Sequence, residues 1–214
     1  MNIYKNLSIG LTCTTLVALC ANAATAASIS VGGTQVPGQG SFSNVSGAIT
    51  VDFDNGEVPK SGLAIYSDAP VVQGTVYGGL KPDDDDTPYL DMYPTNRVDI
   101  DFTKDIKYFG LYWGSVDSGN TIEFYQDNVL LDTFSGTDVL NAAGQTVSNG
   151  IYANFFADAN ESFDKVVLKT GLPFESDNHA YKPVPEPLTI LGSVTALGFG
   201  ALFKRQQSRK QKKS

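Results

Sequence analysis

Along much of residues 49–181 apolar side chains recur at every second position, and no stretch of this region carries a convincing helical period. Ile49, Val51 and Phe53 alternate with Thr50, Asp52 and Asp54. Val98, Ile100 and Phe102 alternate with Arg97, Asp99 and Asp101, and Ile122 and Phe124 with Thr121, Glu123 and Tyr125. Successive side chains of a strand point to opposite faces, so each run predicts a strand with one buried face. Further strands are expected over 61–66, 71–77, 106–113, 129–134, 151–156, 163–169 and 174–181, and Gln126-Asp127-Asn128 predicts a tight hairpin. Short strands separated by Gly, Asn and Asp clusters predict an all-β domain, a jelly-roll-like two-sheet β-sandwich.

Charge narrows the partners of such a domain. The chain of 214 residues carries a net charge of -8, and between residues 27 and 183 there are 22 acidic against eight basic side chains. A surface of that sign repels nucleic-acid phosphates and anionic lipid headgroups and favours cations or neutral glycans, so nucleic acid is not an expected partner. Both cysteines, Cys13 and Cys20, precede this region, which therefore has neither a disulfide nor a cysteine metal site to draw on. Stability must come from the apolar core, which 42% hydrophobic residues can supply.

The ends differ from the middle. Residues 1–26 run from Lys5 through an apolar stretch at Leu7 to Leu19 into Ala21-Asn22-Ala23 and Ala24-Thr25-Ala26. That order is a cleavable secretory signal, too short to stay as a membrane span. Leu19, directly before Cys20, argues against a lipoprotein signal. Residues 27–182 form the expected ectodomain, and 183–214 a separate segment. In that segment Pro183-Val184-Pro185-Glu186-Pro187 ends any strand, residues 188–203 carry no charge, and Lys204 and Arg205 open a basic tail over 204–214. As a helix the uncharged segment reaches about 24 Å, slightly short of the roughly 30 Å hydrocarbon core. Basic residues after it predict a tail held inside and an ectodomain outside.

Pro185, Glu186 and Pro187, followed by an apolar segment and a terminal basic cluster, resemble the PEP-CTERM sorting signal of exported bacterial proteins. The resemblance implies that Pro185, Glu186 and Pro187 are read by a membrane-embedded exosortase, that 188–203 is a transient transmembrane anchor, and that Lys204 and Arg205 stop transfer. The tail after Arg205 is longer than in many members of that family. Residues 108–115 and 174–178 also resemble segments common in exosortase-dependent surface proteins. The implied destination is the cell surface or extracellular matrix; a structural or adhesive role without enzymatic activity is the expected function.

The residues offer a few candidate chemistries. His179 is the single histidine, so a triad of nucleophile and imidazole has one candidate base. Hydrolysis of glycosides needs two paired carboxylates, for which the acids supply raw material but no evident pair. Asp52-Phe53-Asp54-Asn55-Gly56-Glu57 opens like an EF-hand loop, but its glycine comes one residue early, so a turn at Asn55-Gly56 is expected. A structural Ca2+ has candidate ligands in Asp83, Asp84, Asp85 and Asp86, expected as a solvated loop, and in Glu175 and Asp177 beside Asn178. An alternative function is a calcium-braced carbohydrate-binding module attaching to exopolysaccharide. Its stacking rings would be Tyr108 and Tyr112, which alternation sets opposite Phe109, Leu111 and Trp113 and so turns outward.

Overall fold

The computed structural model describes residues 27–75, 82–93 and 95–185. The expected leader, Glu186 and Pro187, the apolar segment 188–203 and the basic tail with Lys204 and Arg205 lie outside the described residues. Among the described residues no helix is long and apolar enough to cross a membrane.

In chain order the elements are β1 (Ser28–Val31), β2 (Thr34–Gln35), β3 (Ser41–Phe42), β4 (Ile49–Val51), β5 (Ala64–Tyr66), β6 (Val71–Val72), β7 (Tyr89–Asp91), β8 (Arg97–Trp113), β9 (Asn120–Gln126), β10 (Val129–Ser135), α1 (Gly136–Ala143), β11 (Ile151–Phe156), β12 (Phe163–Thr170) and β13 (Glu175–Pro183). Eleven strands make one curled antiparallel sheet, and β2 with β3 makes a small second one.

The curl is organised by β8. Two strands are expected at 98–102 and 106–113, but the chain stays extended through all 17 residues. Its first part pairs with β12 on one side and β5 on the other, and its second part with β11 and β13. A register shift between Phe163 and Lys165, opposite Ile106 and Asp101, marks the bend between the two parts. Such a bulge bends a strand without ending it, which is why one hydrogen-bonded sheet stands where two were expected. β9 and β10 extend the sheet beyond β12, β1 lies beyond β11, and β4, β7 and β6 lie beyond β13.

Inside the curl, side chains from both parts of the sheet meet. Phe109 of β8 and Phe155 of β11 pack against Phe124 of β9, with ring centroids 6.2 and 5.2 Å away. Trp113 stacks on Phe174 at 4.5 Å. The expected inward set Phe109, Leu111 and Trp113 is fully buried. Closely packed aromatic rings of this kind carry much of the hydrophobic stabilisation of a disulfide-free core.

The hairpin at 126–129 forms as expected. Asp127 and Asn128 take φ of 51° and 63°, the left-handed pair that a two-residue loop matched to strand twist requires. Phe53 to Gly56 closes a turn through Gly56 N–H to Phe53 O at 2.8 Å, although β4 and β5 do not pair. Helix α1 was not expected. Ser135 caps it, accepting from Asp138 N–H while the Asp138 carboxylate accepts from Ser135 N–H, and Gly144 ends it in a left-handed conformation.

Candidate functional site

The outer face of the β7–β13–β8 region is not open. On β8, Tyr108 and Tyr112 do point away from Phe109 and Trp113, yet they are only 2% and 3% exposed. This corrects the expectation that their rings are available to a sugar. Chain segments around β2, β3 and residues 83–86 cover them. The Tyr108 hydroxyl donates to Asn154 Oδ1 at 2.8 Å and meets Ser43 Oγ at 2.7 Å, and the Tyr112 hydroxyl donates to Asp83 O at 2.6 Å. Tyr152 is buried as well, donating to Asn178 O at 3.0 Å. Sequence alternation separates two faces of a strand, but it does not report that a second layer covers the polar one.

That covering layer is held by backbone bonds between two loops. Gly40 N–H donates to Asp84 O at 2.8 Å, Asp86 N–H donates to Gly38 O at 2.9 Å, and Gln39 and Asp85 form an isolated bridge. Gly40 has φ of 70°, and a Cβ there would stand 2.5 Å from the Tyr112 ring, so only glycine lets the loop lie this close. The consequence for the four aspartates is a split. Asp83, Asp84 and Asp86 are exposed as expected of a solvated loop, whereas the bridge to Gln39 turns Asp85 inward, to 0% exposure.

Under this cover the sheet carries a row of buried acids. Glu175 pairs with Asp91 across β13 and β7, and Asp177 pairs with Tyr112 across β13 and β8. Period-two alternation puts Glu175 and Asp177 on one face of β13. Asp85, Asp91, Glu175 and Asp177 are all fully buried. Thr87 Oγ1 joins two of them, donating to Asp85 Oδ1 at 2.6 Å and lying 3.3 Å from Asp177 Oδ2. Glu175 Oε2 accepts from Ser115 N–H at 3.3 Å and Asp91 Oδ1 from Tyr93 N–H at 2.8 Å. Glu175 Oε1, Asp91 Oδ2 and Asp177 Oδ1 have no hydrogen-bond partner. Burial raises the pKa of all three acids. For Asp177 the charge and hydrogen bond of Asp85 add to burial and push it up to about 10.

A bulge in β13 completes the arrangement. Asp177 stands opposite Tyr112 and Ala180 opposite Gly110, so β13 holds one extra residue there. Asn178 takes φ of 50°, a left-handed conformation that Asn tolerates better than most side chains. Its Nδ2 donates to Gln39 O at 2.7 Å, so it faces the covering loops together with Asp177. Its Oδ1 is buried without a partner. Glu175, Asp177 and Asn178 could be picked out from sequence as an oxygen cluster, but the Asp91 partner could not, because β7 is three residues long and carries no alternation signal.

His179 lies on the other side of the bulge, in the core. Its Nε2 is 2.9 Å from Ser176 Oγ and its Nδ1 3.0 Å from the Tyr66 hydroxyl. A hydroxyl, an imidazole and a third polar group have the composition of a nucleophilic triad. Here Ser176 and His179 are fully buried and rings of Phe53, Tyr66 and Phe109 enclose the imidazole within 5.8 Å. Burial pulls its pKa down to about 3. Elsewhere, a cavity of 670 Å³ opens between the 115–118 loop, α1 and the 145–149 loop, lined by Thr137, Leu140, Asn141, Val147 and Pro173 among others. It has neither an aromatic platform nor a pair of acids.

No protein-family model, curated protein or solved structure matches the chain. The site is thus read from its chemistry alone. Oxygen atoms dominate it and no lysine or arginine among the described residues forms an ion pair with Asp91, Glu175 or Asp177. Such a set suits hard cations rather than sulfur-seeking metals or anions.

Proposed function

We propose that the chain is an exported surface or extracellular-matrix protein, structural or adhesive and not an enzyme, whose C-terminal segment is a processing and anchoring device. In this reading residues 1–26 are a cleaved leader, Pro185, Glu186 and Pro187 the exosortase signal, 188–203 a transient membrane helix and Lys204 and Arg205 its stop. The curled sheet, whose two parts meet across the core, is the jelly-roll-like body of the ectodomain.

One observation carries this reading: among the described residues, the sheet and the core end just before the tripeptide. β13 lies between β8 on one side and β4 and β7 on the other, and it ends at Pro183. Val184 N–H donates to Asp105 O at 2.8 Å, and Pro185 is exposed. Among the described residues the last of the hydrophobic core is Tyr181. Cutting at or after Pro187 therefore leaves every described core side chain and every described sheet pairing in the released part. Acidic side chains and the lack of cysteine after Cys20 suit a domain whose fold depends on burial alone.

Mass spectrometry of the protein recovered from the producing cells tests it. A mature N-terminus near residue 27 and a C-terminus near Pro187 are expected. Recovery of the chain with residues 204–214 attached at the cell surface overturns exosortase processing, and recovery from the cytosol with residues 1–26 attached overturns export.

A further inference from the structure

We propose that Asp85, Asp177 and the side-chain carbonyl of Asn178 bind one Ca2+, which clamps the 36–40 and 83–87 loops onto the outer face of the sheet. The inference stands on the geometry of these residues and does not depend on the export reading.

The first argument is convergence from separate parts of the chain. Asp85 comes from the covering loop and Asp177 from β13, and Thr87 Oγ1 lies within hydrogen-bond distance of both carboxylates. Both acids are fully buried. A shared proton or a cation between two adjacent buried carboxyl groups lowers the cost of placing them there.

Asn178 separates those alternatives. The bond from its Nδ2 to Gln39 O at 2.7 Å fixes the orientation of the amide, so its oxygen is the atom left over. Asn178 is 1% exposed and this Oδ1 has no donor, nor has Asp177 Oδ1 on the neighbouring residue. Leaving a buried acceptor unmet forfeits the hydration it had in the unfolded chain. A shared proton satisfies the carboxyl pair but gives nothing to the amide. A hard cation takes carboxylate and amide oxygens together, and completes its shell with backbone carbonyls and water.

The β13 bulge presents the ligands. Without the extra residue, alternation would put Asn178 on the core face, and His179 would take its place among the acids. The left-handed Asn178 backbone is thus the local feature that adds a third oxygen to the pair.

Affinity follows from charge count. Among the described residues no group of three His, Cys, Asp or Glu side chains converges on a metal-sized position, so two carboxylates carry the charge. Sites of low charge lie toward the weak end of calcium affinities, roughly 10⁻⁴–10⁻³ M, where extracellular modules operate. Calcium at that level would tie the two loops to β13 and favour the folded chain by mass action.

Titration calorimetry and terbium luminescence on the purified full chain in mild detergent test the site, with Tyr112 and Trp113 as nearby sensitisers. One saturable Ca2+ per chain is expected, with a higher Tm in calcium than in chelator. Asp85→Asn and Asp177→Asn should each remove both effects, whereas Glu57→Gln, in the loop that opens like an EF-hand, should leave them intact. Asn178→Gly keeps the backbone tolerance but removes the side-chain oxygen, so it should weaken calcium about tenfold. Should Asp177→Asn fail to fold, the response of Asn178→Gly decides. No calcium binding by the full chain, binding retained in Asp177→Asn, binding lost in Glu57→Gln, or unchanged affinity in Asn178→Gly overturns the proposal.

Discussion

His179 Nε2 lies 2.9 Å from Ser176 Oγ, although three residues of regular strand would place these side chains on opposite faces of the sheet. The extra residue at Asn178 brings them to the same side. It delivers the imidazole into a pocket of aromatic rings, where burial lowers its pKa to about 3.

The acid stability of the fold should carry the signature of that histidine. An imidazole that stays neutral in the folded chain but protonates when unfolded binds fewer protons in the native state, between about pH 3 and 6.5. Stability is then lost as pH falls through this window, at up to about 1.4 kcal/mol per pH unit for one proton. Urea titrations at pH 4.5 and 6.5 check it. In His179→Gln the loss on acidification should shrink by close to one proton's worth relative to the parent chain. An unchanged slope would mean that the imidazole is protonated inside the core.

Asp177 predicts the opposite trend at higher pH. Its carboxyl is raised to about 10 by burial and then by Asp85, with Asp54 adding to the same effect. A folded pKa above the unfolded one means that the native state holds an extra proton, between about pH 4 and 10. In chelator, therefore, stability should decline as pH rises from about 4 toward 10, and Asp177→Asn should flatten that decline. Denaturation midpoints at pH 5, 7 and 9 measure both slopes, and a parent chain equally stable at all three would refute the assignment.

The β9–β10 turn gives a local test that leaves the site alone. Asp127 and Asn128 both have positive φ and are exposed, and Asp127 N–H donates to Asp164 Oδ2 at 2.6 Å. Glycine adopts such angles without strain, and Asn-Gly or Asp-Gly is the preferred pair for a turn of this kind. Asn128→Gly should thus raise stability by about 0.5 kcal/mol, whereas Asn128→Val should lower it by about 1 kcal/mol or more. Thermal unfolding of both variants reads the difference, and a stabilising valine would show that this loop is not held in a left-handed pair.

How much of this was legible in the sequence depends on the range of the interaction. Strand β11 coincides with the expected 151–156, and Phe109, Leu111 and Trp113 face the core as alternation requires, because period two is a property of the local backbone. Helix α1 was missed although Ser135, Asp138 and Gly144 are its capping residues. Eight residues give too short a window for a helical period to stand out, and the cap pattern was the better signal. Burial of Tyr108 and Tyr112 was not legible at all, since the layer that covers them comes from residues around β3 and the 83–86 loop, far away in sequence. The same holds for Asp85. In the chain it is one of four equivalent aspartates, and only the bridge to Gln39 distinguishes it.

Lys107 supports the place where the sheet bends. Its Nζ donates to Asp158 O at 2.9 Å, to Ala159 O at 3.0 Å and to Glu161 O. Those carbonyls belong to the loop between β11 and β12, which both pair with β8 on either side of the bend. An ammonium has three donors on a compact head, and the loop offers three acceptors around it. Lys107→Met keeps most of the apolar stem but removes the ammonium from all three carbonyls, leaving Asp158 O with the Glu161 N–H at 3.2 Å, and should cost about 1–3 kcal/mol. Lys107→Arg should rescue little, because a planar guanidinium cannot direct three bonds into so small a cage. Hydrogen exchange in the parent and both variants locates the effect: faster exchange at Ala157 N–H, which donates to Lys107 O at 3.0 Å, and at Glu161 N–H is expected, with β9 and β10 unchanged. Full protection of the loop in Lys107→Met would show that the ammonium is not what holds it.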